Sequence, residues 1–261
     1  MPTKAFISLT AGLRDLGGGR VWSLMISLFG DLARDPGTVI DGPILSDIMR
    51  GLQVKPEAAR VALHRLRNDG WIESRKSGRI SQHMLSEKGQ SESAKASPRI
   101  YADPDALPGG WQLVLAPDGE LAEEIEQKGF AQVMPRVLVG PRAAKVPAPA
   151  VAFEGGSVPP WLADAAQPEN LRQSYEDLLA ELSQLDRALE DCGDLSATET
   201  AILRCLIVHN WRRLVLKHPL LPAPLVSADW PGHRCHLLVH KLLTDHPRPG
   251  LKAIAQSRAA A

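Results

Sequence analysis

Apolar positions recur at helical spacing along the first quarter of the chain. Val21, Leu24, Met25, Leu28 and Leu32 mark one face of a helix over 21–33. Asp35-Pro36-Gly37 ends it and turns the chain. Asp41 is placed to cap a second helix, with Pro43 early in it and Ile44, Leu45, Ile48 and Leu52 on its buried side. Leu52-Gln53-Val54 turn into a third helix. Pro56 suits the first turn, where its missing N–H is harmless, and Glu57 complements the helix dipole. Ala59, Ala62, Leu63 and Leu66 form its apolar stripe, and Gly70 is a C-terminal cap. The opposite side carries Arg60, Val61, His64, Arg65 and Asn68. From Trp71 to Met84 the pattern shortens to two polar–apolar runs around Lys76-Ser77-Gly78, which predicts a hairpin. Ser91 to Ser97, small and polar, read as a connecting stretch.

Further along, Trp111–Leu115 predicts a strand. Asp118–Lys128 reads as a short acidic helix with Leu121 and Ile125 inward, stopped by Gly129. Val137–Val139 and Val151–Phe153 predict two more strands, so this part reads as a small α+β layer. The run 141–160 is rich in Pro, Ala and Gly and looks like a linker. A long helix begins near Pro168. Leu171, Tyr175, Leu178, Leu182, Leu185 and Leu189 alternate spacings of four and three along it. Such a seam serves either packing within its own domain or a dimer. Ser196 and Glu199 have the spacing of a reciprocal cap for a helix that buries Ile202, Leu203, Leu206, Ile207 and Trp211. Arg212, Arg213 and Lys217 end it, as cations suited to the dipole or to phosphates.

Composition changes this picture in one place. The 261-residue chain is 44% hydrophobic and formally neutral, with a pI near 7.1, so it is globular and has no global field for nucleic acid. Yet from Lys55 to Arg79 seven Lys/Arg face three Asp/Glu, a local excess of four positive charges. A helix with a cationic face, a Gly stop, a Trp-led strand and a basic hairpin tip, in that order, is a winged helix-turn-helix layout. DNA contacts are therefore expected from Lys55, Arg60, His64, Arg65, Arg67, Arg75, Lys76 and Arg79.

Other chemistry is sparse. Cys192, Cys205 and Cys235 are few and widely spaced, which points to reduced thiols in the cytoplasm. No signal peptide or membrane span is expected. Gly17-Gly18-Gly19 fit no nucleotide-binding loop and read as a joint after an N-terminal arm. His233, His236 and His240 raise a zinc site, with His236 and His240 one turn apart; the plainer reading is a polar helix face covering Trp230. No nucleophile elbow, kinase signature or paired-carboxylate motif appears, so no enzyme activity and no cofactor is expected.

Several short words stand in a telling order: Leu28-Phe29-Gly30-Asp31, the run from Ala59 to Leu66, Asp69-Gly70-Trp71, Ser77-Gly78-Arg79-Ile80-Ser81, Arg99-Ile100-Tyr101, Trp211-Arg212 and Asp229-Trp230-Pro231-Gly232. With them the chain resembles the PaaX family of bacterial repressors over nearly its whole length. A departure is His218, which stands where the family usually has Asp before a Pro-x-Leu-Pro segment.

The resemblance implies an α+β, mainly α protein: an arm (1–19), a winged helix-turn-helix domain (20–97), a ferredoxin-like, Cas2-like middle domain (98–158), a helical C-terminal domain (159–250) and a tail (251–261). It implies a repressor of aromatic, phenylacetate-type catabolic genes. Such a repressor binds double-stranded operator DNA as a homodimer and is released by an aryl-CoA thioester such as phenylacetyl-CoA. Arg99 and Arg212 are the expected anion partners of that effector, and Tyr101, Trp111 and Trp230 its apolar walls. Two other readings stay open: a metal-dependent nuclease using the middle domain, with Asp118 near the end of its first strand, and a constitutive architectural DNA binder.

Overall fold

The computed structural model describes residues 2–106, 109–227 and 229–259. The chain is mixed α+β, mainly helical, with two small antiparallel sheets. Contacts divide it into two units. The first gathers the residues up to Ile100, Ala180–Arg212 and the residues from Lys241 onward; the second holds Tyr101–Leu179 and Arg213–His240.

The first unit opens on two short helices, α1 (Lys4–Leu9) and α2 (Ala11–Leu16), where the sequence suggests only an arm. Their apolar side chains Phe6 and Leu13 are fully buried. Helix α3 (Val21–Leu32) follows, then a two-residue strand β1 (Ile40–Asp41) and α4 (Gly42–Gly51). Asp41 stands at the N-cap of α4 but makes no side-chain cap; its carboxylate instead accepts from Gln82 Nε2 at 3.0 Å. The turn after α4 is closed by a bond from Val54 N–H to the Met49 carbonyl and holds Gln53 at φ +59°. A left-handed residue there is the usual helix stop, normally taken by Gly.

Helix α5 (Pro56–Asn68) ends the same way, with Gly70 at φ +71° and Trp71 N–H on the Leu66 carbonyl. Strands β2 (Ile72–Ser77) and β3 (Ile80–Leu85) then form a hairpin, and β1 adds to β3, giving the order β1-β3-β2. Gly78 (φ +59°) and Arg79 make its two-residue turn, a loop length that favours Gly at the first position.

The stretch 91–97 is not a connector. It lies inside helix α6 (Glu87–Ile100). Ser86 starts this helix: its hydroxyl accepts from Gly89 N–H and donates to the Gly70 carbonyl. A Cβ on Gly89 would sit 2.1 Å from the Trp71 carbonyl oxygen, so only Gly lets α6 lie against the hairpin base. Small polar residues suit an exposed helix as well as a loop, and the cap and this close approach decide between them.

In the second unit, β4 (Trp111–Leu115), α7 (Gly119–Gln127), β5 (Ala131–Met134), β6 (Val137–Pro141) and β7 (Val151–Glu154) build an antiparallel sheet in the order β5-β6-β4-β7. Strand β5 adds to the three strands the sequence predicts; at four residues and bulged, it has too little alternation to announce itself. The central strand β4 is buried on both faces. Val114 and Leu138 pack with Ala122, Ile125 and Phe130. Trp111 and Val139 pack on the other side with Leu162 of helix α8 (Pro160–Ala165), with Ala166 at its C-cap, and with Leu221 and Leu225.

Four more helices complete the chain: α9 (Arg172–Glu190), α10 (Ala197–Val215), α11 (Pro231–Asp245) and α12 (Leu251–Ala259). The seam is spent inside a single chain: Leu171 just ahead of α9 and Tyr175, Leu178, Leu182 and Leu185 along it are all at most 7% exposed, and Leu189 near its end is half-buried. Of the two uses the spacing allows, it serves internal packing. The cap of α10 is reciprocal as expected, with Glu199 Oε2 accepting from both the N–H and the hydroxyl of Ser196. Every residue of α10 from Ala201 to Trp211 is buried. A helix buried all round is a core element, and in the first unit it must satisfy its own polar groups.

Three of its side chains do so. The Arg204 guanidinium forms a two-pronged pair with Asp31 of α3, Nη2 to Oδ1 at 2.8 Å and Nε to Oδ2 at 2.9 Å. His209 bridges the Ser27 hydroxyl and the Gly17 carbonyl, each at 3.1 Å. Asn210 donates to the Leu13 carbonyl at 2.8 Å. Gly17-Gly18-Gly19 thus form an anchored joint, with Gly18 at φ +66°.

Candidate nucleic-acid interface

Helix α5 buries Ala62 and Leu66 and leaves the rest of its girth half-buried or exposed. At 3.6 residues per turn, Arg60, Val61, His64, Arg65 and Asn68 fall within an arc of about 140°. All five are exposed, and Val61 stands 69% exposed in their midst. Lys55 and Arg67 are exposed at the helix ends. The helix is about 20 Å long, the scale of a major-groove element.

The cations differ in how freely they can move. Arg60 touches Glu57 at 3.5 Å across two largely solvated side chains, a contact that holds it weakly. Arg65 is more constrained: its guanidinium lies 4.6 Å from the centre of the Trp22 ring, and its Nε reaches Asp69 at 3.4 Å. His64 Nδ1 meets the Asn68 amide at 3.3 Å.

The hairpin carries Arg75, Lys76 and Arg79, all exposed. Arg75 donates to Gln82, whose amide in turn donates to Asp41, so β1 stiffens the ribbon through its side chains as well as its backbone. At its base His83 is 7% exposed and shares a 2.8 Å hydrogen bond with Ser74. Burial and, after it, the charge of Arg67 hold the imidazole below its ordinary range.

Helices α4 and α5 and the hairpin from Arg79 to His83 line a cavity of about 670 Å³, into which both Arg60 and Arg79 open. The cations predicted from spacing alone therefore stand exposed on two elements that share one groove. Sequence reasoning did not find the cavity, nor the Asp31–Arg204 pair; nothing local signals a partner 173 residues away.

The five residues expected to meet an effector fall in different places. Arg99 and Arg212 belong to the first unit, both partly buried, and an Arg212 Nη donates to the Ser23 hydroxyl at 3.2 Å. Tyr101, Trp111 and Trp230 belong to the second. Trp111 is a core residue whose indole N–H donates to the Gly156 carbonyl. Trp230 is 3% exposed, edge-on to Tyr175 at 5.4 Å and beneath the Arg172 guanidinium at 5.1 Å. The hydroxyl of Tyr175 is hydrogen-bonded to His218.

Among the described residues no group of three His, Cys, Asp or Glu is placed to hold a metal ion. His236 is buried, and its Nε2 meets the Ala102 carbonyl at 2.8 Å. Asp118 caps α7, accepting from Leu121 N–H at 2.9 Å, and so serves the helix start. Cys235 packs under the Tyr175 carbonyl, and burial pushes its thiol up to about 12. Among the described residues no helix is long and apolar enough to cross a membrane.

Comparison with known proteins identifies the family. Residues 20–89 match the family model for PaaX-like proteins, and residues 167–254 match the model for the PaaX-like protein C-terminal domain. The chain is 28% identical over 243 residues to the transcriptional repressor PaaX of Escherichia coli, covering 83% of this chain and 77% of that one. Among solved structures, the uncharacterized protein Rv0674 from Mycobacterium tuberculosis superposes with a TM-score of 0.54 at 18% identity, over 91% of this chain and 97% of that one. That last likeness concerns the fold alone. The chain belongs to the PaaX-like protein family.

Proposed function

We propose that this protein is a DNA-binding transcriptional repressor of phenylacetate-type catabolic genes, released from its operator by an aryl-CoA thioester such as phenylacetyl-CoA. The observation that carries the reading is the shared groove: Arg60 of α5 and Arg79 of the hairpin turn open into the same cavity and are both exposed. In this reading residues 20–97 are a winged helix-turn-helix. Helix α5 enters the major groove, where Arg60 and His64 meet base edges and Val61 offers an apolar contact for a thymine methyl. Arg75, Lys76 and Arg79 on the wing grip the backbone or minor groove.

The relative from Escherichia coli is named a transcriptional repressor, which supports this assignment. The sheet order β5-β6-β4-β7 supports a ferredoxin-like middle domain with one crossover helix missing between β6 and β7. A cytoplasmic homodimer on a palindromic site follows from the function, since two half-sites require two copies.

The test is a mobility shift on the DNA upstream of the protein's own gene, titrated with phenylacetyl-CoA at fixed salt. A complex that survives excess random duplex and dissolves with the thioester is the expected outcome. Equal affinity for random duplex would make the protein an architectural binder instead, and metal-dependent cleavage of the probe would make it a nuclease.

A further inference from the structure

The groove that α4, α5 and the wing line is concave as well as cationic. Its volume of about 670 Å³ lies in the range of sites for small organic ligands. The floor is apolar, with Met25, Leu45, Met49 and Leu63 among its lining, and the two thioethers can adapt to a guest. The rim carries three guanidiniums, those of Arg50, Arg60 and Arg79, and among the described residues no carboxylate lines it. Arg50 is tied to Asp47 at 3.0 Å, whereas Arg79 makes no ion pair among the described residues. The arginines suit a phosphate or any other anion, and the apolar walls beneath them add a place for a flat apolar body, which a duplex backbone does not supply.

We propose that this cavity binds an acidic aryl ligand in direct competition with DNA, so that the effector and the operator claim the same Arg60 and Arg79. The proposal rests on the repressor reading above and places its effector within the DNA-binding domain. Release then needs no signal carried from elsewhere. A guanidinium turned onto a ligand's anionic end is unavailable to a phosphate, and a ligand body on Leu63 stands between helix and wing.

Direct competition has a signature that remote coupling lacks. The apparent operator Kd rises without limit as the factor 1 + [L]/Kd, about 11-fold at ten times the ligand's own Kd and about 100-fold at a hundred times. Coupling between separate sites instead levels off, at a factor of roughly 5–150. The experiment uses the full chain and fluorescence anisotropy of labelled operator, with phenylacetyl-CoA, CoA alone and phenylacetate as probes. A response to phenylacetyl-CoA that climbs in proportion to concentration, with no thioester retained on the operator-bound protein, is expected. Calorimetry on DNA-free protein then compares wild type with Ser46→Trp and Ala59→Phe. Both residues line the cavity, and either replacement fills it. Each is expected to weaken phenylacetyl-CoA binding at least tenfold while leaving the melting temperature within a few degrees.

A plateau, a ternary complex, or wild-type affinity in both variants overturns the siting while leaving the repressor assignment intact. Loss of operator preference in the wild type overturns the repressor assignment itself, and this proposal with it.

Discussion

Replacing Asp31 by Ala tests how the DNA-binding helices are held. Asp31 is 1% exposed and faces the Arg204 guanidinium, itself 7% exposed, through two charge-assisted bonds. Without the carboxylate the guanidinium stays buried with half its partners gone. Such an uncompensated charge costs about 3–5 kcal/mol, a large part of a typical domain's stability of about 5–15 kcal/mol. Arg204→Met leaves the carboxylate buried instead and also takes the donor from the Leu243 and His246 carbonyls, so it should cost at least as much. The double replacement Asp31→Leu with Arg204→Met removes both charges. It does not return to wild type, because Arg204 Nη1 also donates to the Leu243 and His246 carbonyls at 2.9 and 2.7 Å. Those two acceptors lose their donor, at about 1–3 kcal/mol each. The double variant should thus be destabilised by less than the sum of the singles, with a coupling of about 2 kcal/mol or more. Urea unfolding of the four proteins, followed by circular dichroism, reads this directly. If the effects add within about 0.5 kcal/mol, or Asp31→Ala costs less than about 1 kcal/mol, the pair is not the mutual dependence described here.

Arg79→Ala should weaken operator and random DNA alike and reduce the slope of log K against log salt by about 0.9, measured by anisotropy between about 50 and 200 mM salt. Arg60→Ala or His64→Ala should instead relax sequence choice, removing about 1–3 kcal/mol of discrimination at one base pair, visible in a set of single-substitution operators. Gln53→Gly should stabilise the protein by about 0.5–1 kcal/mol, since Gln53 holds a left-handed conformation that only Gly adopts freely; a lowered unfolding midpoint would contradict this. Acidification should destabilise the fold. Burial is the leading cause that lowers the pKa of His83, His236 and His246, so the unfolded chain binds more protons than the folded one. Stability is therefore complete above about pH 6.5 and falls as pH drops through the folded values, by at most about 1.4 kcal/mol per pH unit for each histidine. A melting temperature that rises between pH 7 and pH 5 would refute the sign.

Local signals sufficed wherever a single element decides its own form. Helix α5, its Gly70 stop, the Asp118 cap of α7 and the reciprocal cap of α10 follow from residues within a few positions of one another. So does the cationic arc, because helical spacing alone separates Arg60, His64 and Arg65 from Ala62 and Leu66. The rest was decided by contact between distant segments. Residues 91–97 became helix because Ser86 caps it and Gly89 fits under the Trp71 carbonyl. The α9 seam, legible as a stripe, went to the interior of one chain because other segments of that chain cover it. Arg204 is an unremarked cation in an apolar run until folding sets Asp31 against it. The cavity exists in no segment, only in the gap that α3, α4, α5 and the hairpin leave on packing. Periodicity reports which side of an element is apolar; what lies against that side is set by the chain as a whole.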